Sequence, residues 1–391
     1  MSNEKLHFFA ESAAEICAHS LIVRDRPLRW VVIANPTAGG FTMRSRWKKC
    51  RRALDESRAA ARANPPGNDC APAGVAAAIA TGDTELHGGK SLADYGFIPT
   101  AGPGSATEIT NALIDEINAS LDCADKAAPF YLLITAGGDG TSLEALSALY
   151  HAPARVRSNA AVLRLPMGTG NDGADAPELA KALDLLIKPS RIEFAPALRL
   201  LTAPEGPAAN LSKLRGPFLA FNILSTGLDA FVTHMTNKTK GKLPGDFYKL
   251  WVDIASLLYD RLYTVGILDV KALDRQGRET CSLHEKMLLV AVGTSGHRTY
   301  GSQKKILPDD RNVCAIRQMP LLRKLALKEL FSTGTHIDKP ESILFNAHRV
   351  EFSGFYPILA QMDGETVLLQ REDFPAAIEL TEPVIPILKK A

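Results

Sequence analysis

The chain of 391 residues has no CxxC pair and no Cys/His cluster at zinc-ligand spacing. Its six cysteines (Cys17, Cys50, Cys70, Cys123, Cys281 and Cys314) are scattered, which argues against a disulfide framework and for a reducing compartment. No apolar run approaches the ~20 residues that a spanning helix needs. The opening segment MSNEKLHFFAESAAEICAHS carries Glu4, Glu11 and Glu15 through its apolar part, unlike a secretory signal. There is no G-x-S-x-G nucleophile elbow, no H-E-x-x-H, no internal repeat and no low-complexity tract. Large charge imbalance is missing too: the formal net charge of +2 by itself gives no reason to expect a polyanionic partner, and local basic clusters are judged separately. The basic run over 44–52 has one aromatic, Trp47, so nucleic acid is not an expected ligand.

What is present is a soluble, globular composition, 46% apolar and 23% charged, in a chain long enough for two domains. Residues 1–27 read as an added helix, with Leu6, Phe9, Ala13, Ile16 and Cys17 at helical spacing. From RWVVIANP onward, apolar strands alternate with helical segments as far as about residue 190. That alternation predicts a three-layer α/β domain with a parallel sheet. Short β-type runs separated by turn residues then predict a mostly antiparallel β-sandwich domain over 191–375. The last strand, PVIPIL, suits either domain; the expected organisation returns about 376–391 to the first.

Glycine concentrates at strand ends. LLITAGGDGTSLEALSAL runs from an apolar strand through Gly137, Gly138, Asp139, Gly140 and Thr141 into a helix. Ligands in open α/β sheets bind outside the carboxyl ends of strands. Bare glycine amides and a helix N-terminus there suit a phosphate. Asp139 repels a phosphate unless a cation stands between them or it orients a hydroxyl. A second loop, LRLPMGTGNDGAD, places Gly168, Gly170 and Gly173 in a G-x-G-x-x-G pattern, with Glu193 about twenty residues on. Pro166 and Pro177 argue against a dinucleotide fingerprint there. A P-loop-like ending at Gly89, Lys90 and Ser91 lacks its first glycine, since Thr84 occupies that position. NPTAGG at 35–40 ends the first strand and joins the two glycine loops as part of a site, with Asn35 at its turn. Farther on, AQMDGETVLL is a hairpin with a favoured Asp-Gly turn, or a carrier for Asp363 or Glu365 as a general base.

NPTAGG, GGDGT and LPMGTGND, in that order, resemble the diacylglycerol kinase catalytic domain of soluble bacterial lipid kinases and sphingosine kinases. FNILSTGLDAFVT, MLLVAVGTSGHRTYG and MDGE fall where that family's second-domain motifs lie, so the resemblance spans roughly 28–391. It implies a two-domain fold of the NAD kinase and phosphofructokinase type, in which ATP and a lipid acceptor meet in a cleft. It implies that Gly137 to Leu143 cradle the ATP phosphates. Thr169 would contact nucleotide with Asn171 and Asp172 nearby, and Thr100 would serve ahead of a Gly-rich turn. Glu365 matches the family's proton acceptor, and Asp310 an aspartate of a structural magnesium site. Mg²⁺ would accompany ATP. Departures are Ser142-Leu143-Glu144 where x-N-E is usual, Gly301-Ser302-Gln303 for a glycine triplet, Asp309-Asp310-Arg311 for D-D-G, and an insertion over 60–95.

The resemblance predicts a cytoplasmic enzyme peripheral to the membrane. MPLLRKLALKELF offers Arg323, Lys324 and Lys328 among leucines, either as an interfacial helix or as a helix packed on the β domain. NKTKGKLPGDFYKLW is a second basic, aromatic stretch. A soluble-substrate kinase of the NAD kinase type, or a nucleotide-binding protein without transfer activity, are the rival functions. A homo-oligomer stays open.

Overall fold

The computed structural model describes residues 3–67, 69–74, 96–123, 128–168, 170–203, 218–239, 259, 261–263, 265–300 and 304–391, without the side chains of 327 and 328. Two compact units result, Met1–Ala195 with Pro383–Ala391, and Pro196–Glu382.

The first unit is built on a parallel sheet. Its strands are β1 (Leu28–Ala34), β2 (Cys70–Pro72), β3 (Phe97–Pro99), β4 (Phe130–Gly137), β5 (Ala160–Pro166) and β6 (Ser190–Ala195), joined by the C-terminal β20 (Ile385–Lys390). The order is β2-β1-β4-β5-β20-β6, with β3 also on β1; only β6 runs antiparallel to its neighbour. Every residue of β4 is buried, as expected for a strand with both faces covered. The chain therefore leaves this unit after β6 and returns to it through β20, beside β5. The unit ends at Ala195, so the RIEFA strand expected in the second domain pairs here, while residues 376–382 fall in the second unit.

Helix α1 (Asn3–Ala18) is part of this core. Leu6, Phe9, Ala13, Ile16 and Cys17 are buried on one face, spaced three or four apart. Phe9 packs edge-on against Phe41 at 5.5 Å. Two more helices follow, α2 (Gly39–Thr42) and α3 (Arg44–Ala61). Glu15 is held by Arg58 at 2.6 Å and Arg62 at 2.5 Å, which ties α1 to α3. The remaining helices are α4 (Ser105–Asp122), α5 (Asp139–His151), α6 (Ala154–Arg157) and α7 (Leu179–Ile187).

The second unit is antiparallel. It holds β7 (Leu198–Leu201), β8 (Phe218–Ala220), β9 (Ile223–Gly227), β10 (Ile267–Leu273), β11 (Glu279–Gly293), β12 (Arg298–Tyr300), β13 (Lys304–Leu307), β14 (Val313–Arg317), β15 (Ser342–Phe345), β16 (Arg349–Ser353), β17 (Ile358–Met362), β18 (Glu365–Leu369) and β19 (Ala376–Leu380). Helices α8 (Leu228–Thr239) and α9 (Leu321–Thr333) interrupt them. The main path is β18-β17-β9-β11-β10-β16-β19-β7-β8. The 15-residue β11 pairs at one end with β10 and at the other with β9 and β14. Two apolar clusters fill this unit, one around Val290, Val350 and Ile378, the other around Phe231, Leu288 and Ile316.

Candidate functional site

In the first unit the three glycine stretches lie together at the carboxyl ends of β1, β4 and β5. Register forces this: Ala34 faces Ala136, and Gly137 faces Pro166, so all three strands end level. Asn35 donates its amide to the Ala136 carbonyl at 3.0 Å, and its Oδ1 accepts from Thr37 N and Oγ1 at 3.0 and 2.8 Å. Thr100 follows β3 alongside, its amide donating to Ala34 O at 2.8 Å.

Contact between the loops is close enough to dictate glycine. A Cβ on Gly168 would lie 2.4 Å from the Gly138 Cα, inside any real contact. One on Gly137 would lie 2.4 Å from the Thr141 Oγ1. Gly40 donates its amide to Met167 O at 2.8 Å, joining the first stretch to the third. Asn171 takes a left-handed conformation, φ 59°, which asparagine tolerates better than most residues. Its buried Oδ1 has no hydrogen-bond partner among the described residues. Thr169 lies outside the described residues, as do the P-loop-like 84–91 and most of the 60–95 insertion.

Asp139 opens α5 and reaches the neighbouring loop: its Oδ1 accepts the Gly173 amide at 3.0 Å. Its Oδ2 makes no hydrogen bond among the described residues. The Oδ2 atoms of Asp139 and Asp172 both approach Gly170, 2.9 and 3.3 Å from where a Cβ would sit. Beneath the loop, Asp175 is fully buried and receives Arg164 NH2 at 2.7 Å and the Arg164 amide at 2.7 Å. No helix starts at the third glycine of this loop; α7 begins only at Leu179, and Glu193 on β6 is exposed beside Arg191. The dinucleotide pattern has no structural counterpart.

Two residues here make contacts that the motifs did not announce. Glu144, in the departure from x-N-E, accepts the amides of Gly104 at 2.9 Å and Ala106 at 3.2 Å, capping the start of α4 beside Thr100. Gly104 itself is left-handed, φ 86°. Arg46 on α3 donates from Nη1 to the Gly168 carbonyl at 2.7 Å. Neither link is visible in sequence, because the partners lie 38 to 122 positions apart.

In the second unit the β17–β18 hairpin turns at Asp363 and Gly364, both left-handed (φ 45° and 98°). The Asp363 carboxylate accepts the amides of Phe221, Asn222 and Ile223, at 3.1 Å from Asn222 and 3.0 Å from Ile223. A carboxylate so occupied anchors a turn, which corrects the expectation of Asp363 as a general base. Glu365, two residues on, is exposed, and its carboxylate makes no hydrogen bond or ion pair among the described residues. Gln361 Nε2 donates to Ser225 Oγ at 3.0 Å and to Asp229 Oδ2 at 3.3 Å, and Ser225 also donates to Asp229. Burial pushes the Asp229 carboxyl up to about 6, against the Ser225 hydrogen bond, the Lys304 charge and the Gln361 hydrogen bond.

Asp310 does not fit the structural metal expected of it. Its carboxylate is 98% exposed and, among the described residues, meets only His297 Nε2, at 2.9 Å. The Arg311 guanidinium occupies Asp309 instead and holds its carboxyl below the usual range. Among the described residues no group of three or more His, Cys, Asp or Glu could hold a metal ion. The basic set on α9 is also changed: Arg323 is paired with Glu341 at 2.6 Å, Lys324 is buried, and the Lys328 side chain lies outside the description. The second basic stretch lies outside it from residue 240 to 251. No helix among the described residues is long and apolar enough to cross a membrane.

Residues 89–193, which contain the second and third glycine stretches, match the family model of the diacylglycerol kinase catalytic domain. The chain resembles the diacylglycerol kinase catalytic-domain family. That match supports a kinase, a phosphotransferase that draws on ATP. Among solved structures, a Bacillus anthracis str. Sterne protein assigned as a diacylglycerol kinase superposes with a TM-score of 0.56 and 16% identity, over 94% of this chain and 97% of that one. A second such structure from the same strain gives 0.52 and 16%, over 92% and 96%. At these identities the likeness is one of fold, α/β followed by antiparallel β. Comparison with curated proteins gives no match.

Proposed function

We propose that this chain is an ATP-dependent lipid kinase, transferring the γ-phosphate to the hydroxyl of a diacylglycerol-like or sphingoid lipid. One observation carries the reading: two bare glycine loops abut at Gly138 and Gly168, with Asp139 joining them and keeping one carboxylate oxygen unspent. Phosphoryl transfer asks a protein mainly for positioning and for charge compensation. The first-turn amides of α5 have no intrahelical acceptor and stand ready as donors to phosphate oxygens. Because the loops are locked against each other, those donors need little rearrangement as charge moves. Asn35, Thr100 and Asn171 line the same strand ends and are read as nucleotide contacts.

The Asp139 and Asp172 oxygens near Gly170 are hard donors, suited to Mg²⁺ held chiefly by the triphosphate. Bound there, the ion would offset phosphate charge. Asp139, tethered through Oδ1 to Gly173, would keep its other oxygen directed at that ion's water shell or at the acceptor hydroxyl. Glu365, matched to the family's proton acceptor, would take the hydroxyl proton; nothing among the described residues competes for it.

A lipid acceptor also requires contact with a bilayer surface, from the water side. With Arg323 neutralised by Glu341 and Lys324 buried, the start of α9 offers mainly leucines: Leu322 is 81% exposed and Leu321 36%. We place a peripheral contact there, and Leu322→Glu should reduce flotation with anionic vesicles. All six cysteines are free, the state that a reducing cytoplasm maintains.

The deciding experiment follows labelled γ-phosphate from ATP onto diacylglycerol, sphingosine and NAD in parallel. Label should enter a lipid, and Glu365→Gln should lose about 10²-fold or more while ATP binding persists. Label on NAD alone reassigns the chain to soluble acceptors. ATP binding without transfer to any acceptor identifies a regulatory protein.

A further inference from the structure

We infer that Arg46 is a phosphate-contacting residue of the nucleotide site, a cation brought to the glycine loops from outside the motifs. The inference rests on the nucleotide reading above. No motif contains Arg46, yet α3 brings it between two of the glycine stretches. Its Nη1 donates to the Gly168 carbonyl at 2.7 Å. The same atom lies 3.4 Å from where a Cβ on Gly39 would sit, with its Cδ at 3.6 Å, so the side chain runs along bare backbone.

Three facts separate Arg46 from an ordinary surface arginine. It is half-buried, and it has no carboxylate partner among the described residues. Farther along the helix, by contrast, Arg52 pairs with Glu56, and Arg58 and Arg62 pair with Glu15. A guanidinium drawn partly out of water without a counter-charge is costly unless an anion joins it. Next, the Gly168 bond uses one of five N–H donors, leaving a fork suited to phosphate oxygens. Last, the first loop cannot carry its own cation at Gly40, where a Cβ would lie 2.6 Å from Met167 Cε and 3.0 Å from Met167 O. At that position a charge has to come from a neighbouring element, and α3 places Arg46 beside the loop.

The competing role is a mechanical one, in which Arg46 merely braces the Gly168 carbonyl. Glutamine separates the two, since its amide can still donate to that carbonyl but carries no charge. Calorimetric titration of ATP, ADP and adenosine, with Mg²⁺ present, should be run on the native chain, Arg46→Gln and Arg46→Lys. The expected result is a loss of about tenfold or more for ATP and ADP in Arg46→Gln, less than about twofold for adenosine, and partial recovery in Arg46→Lys. Native affinity for all three ligands in Arg46→Gln overturns the inference alone, as does an equal loss for all three. A native chain that binds neither ATP nor ADP overturns the nucleotide reading and this inference with it. Should Arg46→Gln fail to fold, Arg46→Lys decides: it keeps the charge and must favour ATP and ADP over adenosine as the native chain does.

Discussion

Asp139 and Asp363 follow or precede a glycine in the two units, and both accept backbone amides, but to different ends. Asp139 gives one oxygen to one amide, Gly173, and keeps the other unbonded among the described residues. Asp363 takes the amides of three successive residues, 221 to 223, and is consumed by them. A carboxylate with a spare oxygen can serve chemistry; a saturated one serves architecture. The same contrast distinguishes the glycines. Gly168 is bare because another loop presses on it, whereas nothing lies within 4 Å of a Cβ on Gly364, whose φ of 98° alone excludes one.

This contrast makes divergent demands on substitution. Asp139→Asn can keep the Gly173 bond, so its melting temperature should hold while turnover falls by about 10²–10³-fold, on the scale of losing one preorganised electrostatic group. Retained turnover would place Asp139 with Asp363 among structural acids. Asp363→Ala should do the reverse, orphaning amides of the β9 approach at a cost of about 2–4 kcal/mol in denaturant unfolding. Gly168→Ala should weaken ATP binding with a cost of about 1–3 kcal/mol, since the new methyl meets backbone rather than a movable side chain. An alanine variant with native affinity means that the two loops are not in contact.

Asp229 gives a smaller, pH-dependent effect. Its folded pKa, about 6, lies above the ordinary aspartate value of 3.8, so the fold prefers the protonated form. Native stability is therefore fullest below about pH 4, declines as pH rises towards about 6, and levels off above that. Asp229→Asn cannot ionise, and should gain on the native chain by about 3 kcal/mol at pH 7.5 with little gain at pH 4. A difference that is constant with pH would show that Lys304, Ser225 and Gln361 compensate the charge fully. The smallest effect is expected at Asp310: with its carboxylate 98% exposed, Asp310→Ala should change stability by less than about 0.5 kcal/mol, with or without Mg²⁺.

Much of the first unit could be read from the chain. Continuous apolar runs such as FYLLITA announced buried strands, and glycines after them announced places where side chains do not fit. The N-terminal helix was legible from its period, but not its integration into the core, which depends on Phe9 meeting Phe41 and on Glu15 meeting α3. At α9 the leucine and lysine pattern suited both an interface and a packed helix. Burial of Lys324 took one cation from the surface, and the Glu341 carboxylate neutralises another, Arg323.

Sequence by itself determined the local chemistry of this protein: where strands run, where the backbone must be bare, and which acids stand next to glycines. Those properties depend on near neighbours and on steric rules that any chain obeys. Tertiary structure alone decided which loops touch and which acids are spent. Gly138 meets Gly168 because β4 and β5 pair and end level, and Asp363 meets residues 221–223 because β17 lies on β9. Hydrogen-bond partners 34 to 142 positions apart are selected by strand order and register, which no short window of residues contains.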